Sequence, residues 1–211
     1  MSGLVLHGFF GSGTSYRTRI ALNIKCLDYE QQPVDLRKGV QKSDAFLALN
    51  PQGLVPALEC EDGVLTQSSA IIEWLDERYP DPPLFPRDRA ERATVRAMAM
   101  VIACDIHPLN NLRVLKAVKG LGGDTDAWAD QWIRPGFDAL ERLIEQRGGG
   151  WSWGDAPTIA DCCLIPQVYS ARRFNVDVSA WPLISAIDAR AAEHPAFQAA
   201  HPDVQPDADK G

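Results

Sequence analysis

Every strand signal in this 211-residue chain lies before a proline-rich joint, and none follows it. The joint is Asp81-Pro82-Pro83-Leu84-Phe85-Pro86, where fixed φ angles restrict the backbone to extended, semi-rigid conformations. Before it, Leu4-Val5-Leu6-His7-Gly8-Phe9 reads as a strand and Gly11 and Gly13 as a turn. Tyr16, Ile20 and Ile24 recur at helical spacing. Asp28 to Leu36 carries a weaker strand, and Ser43 caps a short helix ending at Leu49. Asn50-Pro51-Gln52-Gly53 turns into an extended segment. Asp62-Gly63, between Ala57-Leu58-Glu59-Cys60 and Val64-Leu65, predicts a hairpin. Gln67 to Tyr79 is a helix with Ile71, Leu75 and Tyr79 on one face, stopped by Pro80.

After the joint, Asp88 and Glu91 form a capping-box variant. They open a long helix with Val95, Met98, Ala99, Ile102 and Ile106 inward, kinked at Pro108 and ended by Gly120, Gly122 and Gly123. A second helix spans Asp126 to Gln146, with Trp128, Ile133, Phe137, Leu140 and Ile144 inward and a bend at Pro135. Thr158 to Phe174 and Pro182 to Glu193 are further helices. His201 to Gly211 is polar and proline-rich, and is expected to be a partly ordered tail. The order βαβα, then ββα, then helices predicts an α/β thioredoxin-like domain over 1–80, a linker over 81–87 and an all-α domain over 88–211.

The formal net charge of −7 argues against a general nucleic-acid binder, because a phosphate backbone selects basic faces. An acidic chain that handles anionic ligands must instead place isolated arginines at a site. The five cysteines, Cys26, Cys60, Cys104, Cys162 and Cys163, show neither C-x-x-C nor metal-ligand spacing. With no signal-peptide pattern at Met1-Ser2-Gly3-Leu4 and no apolar run of the roughly 20 residues a membrane span needs, a soluble, cytoplasmic, reducing setting is expected.

Three helix or strand starts carry candidate chemistry. Gly11-Ser12-Gly13-Thr14-Ser15 places hydroxyls where a helix presents free N–H groups and partial positive charge, an arrangement that lowers the pKa of a thiol. Val55-Pro56 enters a strand after a tight turn, a natural place for a cis peptide and for pairing with an extended peptide. Gln67-Ser68-Ser69 opens the next helix and suits a carboxylate. Plain capping explains each serine cluster taken alone; together the three could grip a thiol tripeptide along its length. Thr158-Ile159-Ala160-Asp161 is read as a structural capping box.

The chain resembles the zeta class of cytosolic glutathione transferases, which includes the maleylacetoacetate and maleylpyruvate isomerases. The resemblance runs over almost the whole chain and is most specific at Ile106-His107-Pro108-Leu109-Asn110-Asn111, Pro166-Gln167-Val168 and Arg172-Arg173-Phe174; Gln205-Pro206-Asp207 belongs to the same set. It implies that Ser12, Thr14 and Ser15 surround the glutathione sulfur. It also implies that Val55 and Pro56 serve the cysteinyl backbone, and that Gln67 and Ser68 hold the γ-glutamyl end. Gln52, His107 and Asn111 shape the glutathione and substrate pocket, and Arg173 anchors a substrate carboxylate. A departure stands beside these matches. Relatives commonly carry arginine immediately before the serine that Ser12 matches, and this chain has Gly11; Thr14 occupies a position that is cysteine in many eukaryotic members.

The resemblance implies a glutathione-dependent cis–trans isomerase of maleyl-type keto acids, with glutathione as cofactor, a small anionic keto acid as substrate and a homodimeric assembly. Two alternatives stay open at this point: a general transferase or dehalogenase of small α-halo acids, and a non-catalytic interaction module.

Overall fold

The computed structural model describes residues 3–208, which divide into two compact units. The first contains the chain through Pro83 together with the residues from His194 onward; the second spans Leu84–Glu193.

In the first unit, β1 (Val5–Gly8), α1 (Gly13–Ile24), β2 (Glu30–Pro33), α2 (Asp44–Leu49), β3 (Ala57–Cys60), β4 (Gly63–Thr66) and α3 (Ser68–Arg78) follow one another. The sheet order is β2-β1-β3-β4. β1 and β2 are parallel, joined by the α1 crossover, while β3 runs antiparallel to both β1 and β4. Register sets Leu6 opposite Leu58 and Leu58 opposite Leu65. Leu6 and Leu58 are buried with Ile20, Leu22, Ile71, Ile72 and Leu75 of the helices. Val34, Phe46 and Val55 form a smaller cluster, against which Phe9, Leu36 and Leu49 pack. Ser43 caps α2, its side chain accepting from Phe46 N–H.

The second unit holds α4 (Arg89–Met100), α5 (Leu112–Gly120), α6 (Thr125–Arg147), α7 (Ile159–Arg173) and α8 (Pro182–Glu193). Asp88 caps α4 through Ala90 and Glu91 N–H. The long kinked helix expected up to Gly120 is instead broken. α4 passes into a π-helical turn at Val101–Ile106 and a 3-10 turn at His107–Leu109, and α5 starts afresh beyond Asn111. Pro108 has no N–H to continue the α ladder, and the preceding turn widens rather than bending. α6 fits closely over that turn. A Cβ built on Gly136 would stand 2.3 Å from Ile106 Cδ1, so glycine is what allows the approach.

Thr158 and Asp161 form the capping box at the start of α7. Asp161 accepts from Ser152 N–H at 2.8 Å, Thr158 N–H at 2.8 Å and the Thr158 hydroxyl at 3.0 Å. Burial pushes its carboxyl above the ordinary aspartate range, and these donors pull it back.

The expected all-α domain over 88–211 needs one correction. Its last part, α9 (Pro195–Ala200) and a 3-10 turn at Pro202–Val204, belongs to the first unit. The described part of the expected tail is therefore docked. Asn23 Nδ2 donates to Ala196 C=O at 3.0 Å, and Gln31 Nε2 donates to Gln205 Oε1 at 2.9 Å. Polar composition concealed these bonds because their partners lie more than 170 residues away. Residues 209–211 lie outside the described residues.

Candidate active site

Ser12 stands in extended conformation at the N-cap of α1, its Oγ accepting from Ser15 N–H at 3.3 Å. Thr14 Oγ1 donates to Val55 C=O at 2.9 Å, stitching the helix start to the segment before β3. Ser12 Oγ and Thr14 Oγ1 lie 2.9 Å apart. A hydroxyl has one proton, and Thr14 gives its own to Val55, so Ser12 is the donor in that pair. Both side chains are half-buried, and Ser12 alone holds a proton that can turn toward an arriving anion without breaking the stitch to Val55.

Ser15 is placed differently from expectation. It is fully buried, and its Oγ accepts from Phe9 N–H at 3.3 Å. A Cβ on Gly8 would lie 3.1 Å from that oxygen. Ser15 therefore fixes the β1–α1 loop from inside, while Ser12 and Thr14 remain half-buried.

The Val55–Pro56 peptide is cis. Asn50 builds the turn before it: its Nδ2 donates to Leu54 C=O at 2.7 Å and its Oδ1 accepts from Gln52 N–H at 3.1 Å. Gln52 and Gln67 are joined across the surface, Gln67 Nε2 donating to Gln52 Oε1 at 2.7 Å. Gln67 precedes α3 with φ of 67°, a left-handed backbone that a non-glycine residue adopts only under constraint.

Ser68, at the first turn of α3, is buried, and its Oγ accepts from Arg17 Nη1 at 3.2 Å. That bond leaves the Ser68 proton free to point elsewhere. Arg17 is only 3% exposed, has no acidic partner among the described residues, and its Nε has no hydrogen-bond partner there. A buried cation without a counter-ion is costly. Through Ser68 it lies against the N-terminus of α3, whose leading N–H groups lack helical partners. Helical spacing alone does not tell which arginine of α1 points under α3.

Three further expected residues lie in the second unit. His107 is half-buried at the start of the 3-10 turn, which Trp128 Nε1 holds by donating to Leu109 C=O at 2.8 Å. Asn111 is occupied as the N-cap of α5: its Oδ1 accepts from Arg113 and Val114 N–H, and its Nδ2 donates to Pro108 C=O at 2.8 Å. Its amide is thus spent on capping. The neighbouring Asn110 is buried, with neither end of its amide bonded within the described residues, as is Gln167 on α7. Arg172 pairs with Asp188 at 2.6 Å. Arg173 is exposed at the end of α7 without a partner among the described residues, so of the two arginines it is the one available to an anion.

A thioredoxin-like sheet with hydroxyls in place of a dithiol, an adjoining cis-proline segment and a helix-terminal serine define an N-terminal domain of glutathione-transferase type. Residues 11–78 match the family model "Glutathione S-transferase, N-terminal domain". The chain is 52% identical over 208 residues to a maleylpyruvate isomerase of Ralstonia sp, covering 96% of this chain and 98% of that one. A solved holo structure of a maleylpyruvate isomerase, a bacterial zeta-class glutathione S-transferase, superposes with a TM-score of 0.94 at 52% identity, covering 97% of this chain and 100% of that one. A maleylacetoacetate isomerase of Anaeromyxobacter dehalogenans, solved with glutathione in its active site, gives 0.90 at 42%, covering 99% and 100%. The chain belongs to the zeta-class glutathione transferase family of maleylacetoacetate and maleylpyruvate isomerases.

Proposed function

We propose that this chain is a glutathione-dependent isomerase that converts maleyl-type keto acids to their fumaryl isomers. The observation that carries the reading is the start of α1, where the Ser12 hydroxyl bonds Thr14, which is itself stitched to Val55 C=O. When bound, glutathione supplies a thiolate that adds reversibly to the conjugated double bond, allows rotation and is released unconsumed.

The residues present fit that cofactor. Ser12 donates toward the sulfur and, with the N–H groups of α1, favours its anionic form. Val55 offers its backbone to the cysteinyl unit. Gln67, Gln52 and the Ser68 hydroxyl receive the γ-glutamyl end, and the uncompensated charge of Arg17 lies behind its carboxylate. In the second unit, Arg173, exposed and without a partner among the described residues, receives a substrate carboxylate, which it can bind through two parallel hydrogen bonds. Gly11 contributes no side chain, so the chain relies on arginines other than the one relatives carry there. His107 contributes a polar wall; Asn111 supports it as a cap.

The assay is conversion of maleylacetone with catalytic glutathione. Trans product without loss of glutathione is expected. Stoichiometric consumption would indicate a transferase or dehalogenase, and no turnover a binding module. Arg173→Ala is expected to raise KM for a dicarboxylate roughly tenfold, the equivalent of one charge-assisted hydrogen bond, and to leave a neutral electrophile unaffected. Equal effects on both substrates would remove Arg173 as the anchor.

A homodimer is proposed from the family alone, to be checked by solution mass. A cytoplasmic setting is proposed from the five free thiols, of which Cys26 and Cys104 are exposed.

A further inference from the structure

The peptide two residues before Ser12 is gripped from both sides by groups that bring in the end of the chain. Phe10 N–H donates to Asp207 Oδ2 at 2.9 Å, across 197 residues. Phe10 C=O accepts from Arg19 Nη2 at 3.0 Å. Arg19 in turn donates through Nε to Ala200 C=O at 3.0 Å, the last residue of α9. Gln205 locks the same segment on itself, its Nε2 donating to Ala199 C=O at 2.9 Å and His201 C=O at 2.7 Å. Arg19 is 1% exposed. Burial lowers its pKa to about 10, and the nearby Tyr29, Asp207 and Tyr16 oppose that fall, so it stays charged at neutral pH. The bonds to Phe10 are not needed to cap the helix: Ser12 does that by itself. What the clamp fixes is the Phe9–Ser12 turn, closed by Ser12 N–H donating to Phe9 C=O at 3.0 Å.

We infer that Asp207, acting with Arg19 through the Phe10 peptide, is a positioning residue that holds the Ser12 hydroxyl in register with the glutathione sulfur. The C-terminal segment thereby becomes part of the thiol site without touching the ligand. The inference rests on the functional reading above. Physical chemistry gives it an unusual sign. Deleting a nearby negative charge by itself favours a thiolate and lowers the thiol pKa, whereas releasing the loop removes the Ser12 donor and raises it. The two causes move the titration in opposite directions.

The test uses the full chain with Asp207→Ala and Asp207→Asn. The readouts are the ultraviolet titration of bound glutathione and steady-state kinetics with maleylacetone. Asp207→Ala is expected to raise the thiol pKa and to lower kcat about tenfold, below the roughly hundredfold that a misplacement of about 1 Å costs, while KM for glutathione changes less than about twofold. Asp207→Asn retains an acceptor oxygen and is expected to restore both. A lowered or unchanged thiol pKa in Asp207→Ala, or equal losses in the two variants, overturns the inference. A second measurement needs neither folding of the alanine variant nor activity. The Phe10 amide of the parent is expected to exchange with solvent as slowly as amides within α1, and rapid exchange overturns the clamp even where the parent proves inactive and the functional reading fails.

Discussion

Ser12→Ala is expected to lower kcat roughly a hundredfold, the usual scale for removing one donor aimed at an anion in a preorganised site. The loss should come with a rise in the thiol pKa of bound glutathione. The sign is fixed by which form the hydroxyl bonds. Ser12 donates to the thiolate and not to the thiol, so its bond holds the pKa down; without it, the acidic limb of the pH–rate profile moves to higher pH. The neighbouring hydroxyls provide internal controls. Ser15→Ala removes an acceptor for Phe9 N–H inside the protein. It should cost about 1 kcal/mol of stability, with little change in thiol pKa. Thr14→Ala breaks the stitch to Val55 and should disturb both affinity and rate, because Thr14 places Ser12 as well as the peptide-binding segment. Thiol titration, kcat and thermal unfolding of the three variants separate these roles. A Ser12→Ala protein that titrates like the parent would defeat the assignment.

What could be read from the sequence were features whose partners are local. Ser43, Asp88, and Thr158 with Asp161 cap helices through bonds spanning two or three residues, so residue type and spacing suffice. The hairpin about Asp62-Gly63 is legible for the same reason. The hydroxyls at the start of α1 were only half legible. Three hydroxyls in four positions look equivalent in sequence, yet the turn of α1 sends Ser15 inward and leaves Ser12 and Thr14 toward the rim. Pro108 announced a disturbance without saying how the backbone would accommodate it, since a bend and a π-helical turn begin from the same missing donor. The docked C-terminal segment was illegible because Gln205 and Asp207 find their partners 174 and 197 residues away.

The two arginines of α1 show the same limit more sharply. Arg17 and Arg19 are two residues apart and therefore project to nearly opposite sides of the helix. An amphipathic helix would bury at most one of them. Both are buried because α1 is covered on two sides, by α3, where Arg17 meets Ser68, and by α9, where Arg19 meets Ala200. Their surroundings then diverge. Arg19 is supplied with carbonyl acceptors and lies near Asp207, and serves the architecture. Arg17 has one hydroxyl and no carboxylate among the described residues.

That difference makes Arg17→Met the more instructive replacement. Methionine retains the length and apolar bulk of the side chain and deletes a buried charge that no carboxylate among the described residues pairs with. The unliganded variant is therefore expected to be at least as stable as the parent, since removing an uncompensated buried cation relieves its desolvation cost. Glutathione affinity should move the other way. Losing the charge behind the γ-glutamyl carboxylate, and the bond that aims the Ser68 proton outward, is expected to cost roughly 2 kcal/mol, or about thirtyfold in Kd. Thermal unfolding with and without glutathione reads both effects from one preparation: the ligand-free midpoint holds or rises while the ligand-induced shift shrinks. Arg17→Lys should fall between the two, because it preserves charge but lacks the planar fork that reaches Ser68. Were Arg17→Met to lose stability without glutathione while binding it as tightly as the parent, Arg17 would be a packing residue, and the carboxylate would have to be held by Gln67, Ser68 and the start of α3 alone. The opposite outcome would mean that the protein carries a destabilising charge in its core because the ligand, once bound, neutralises it.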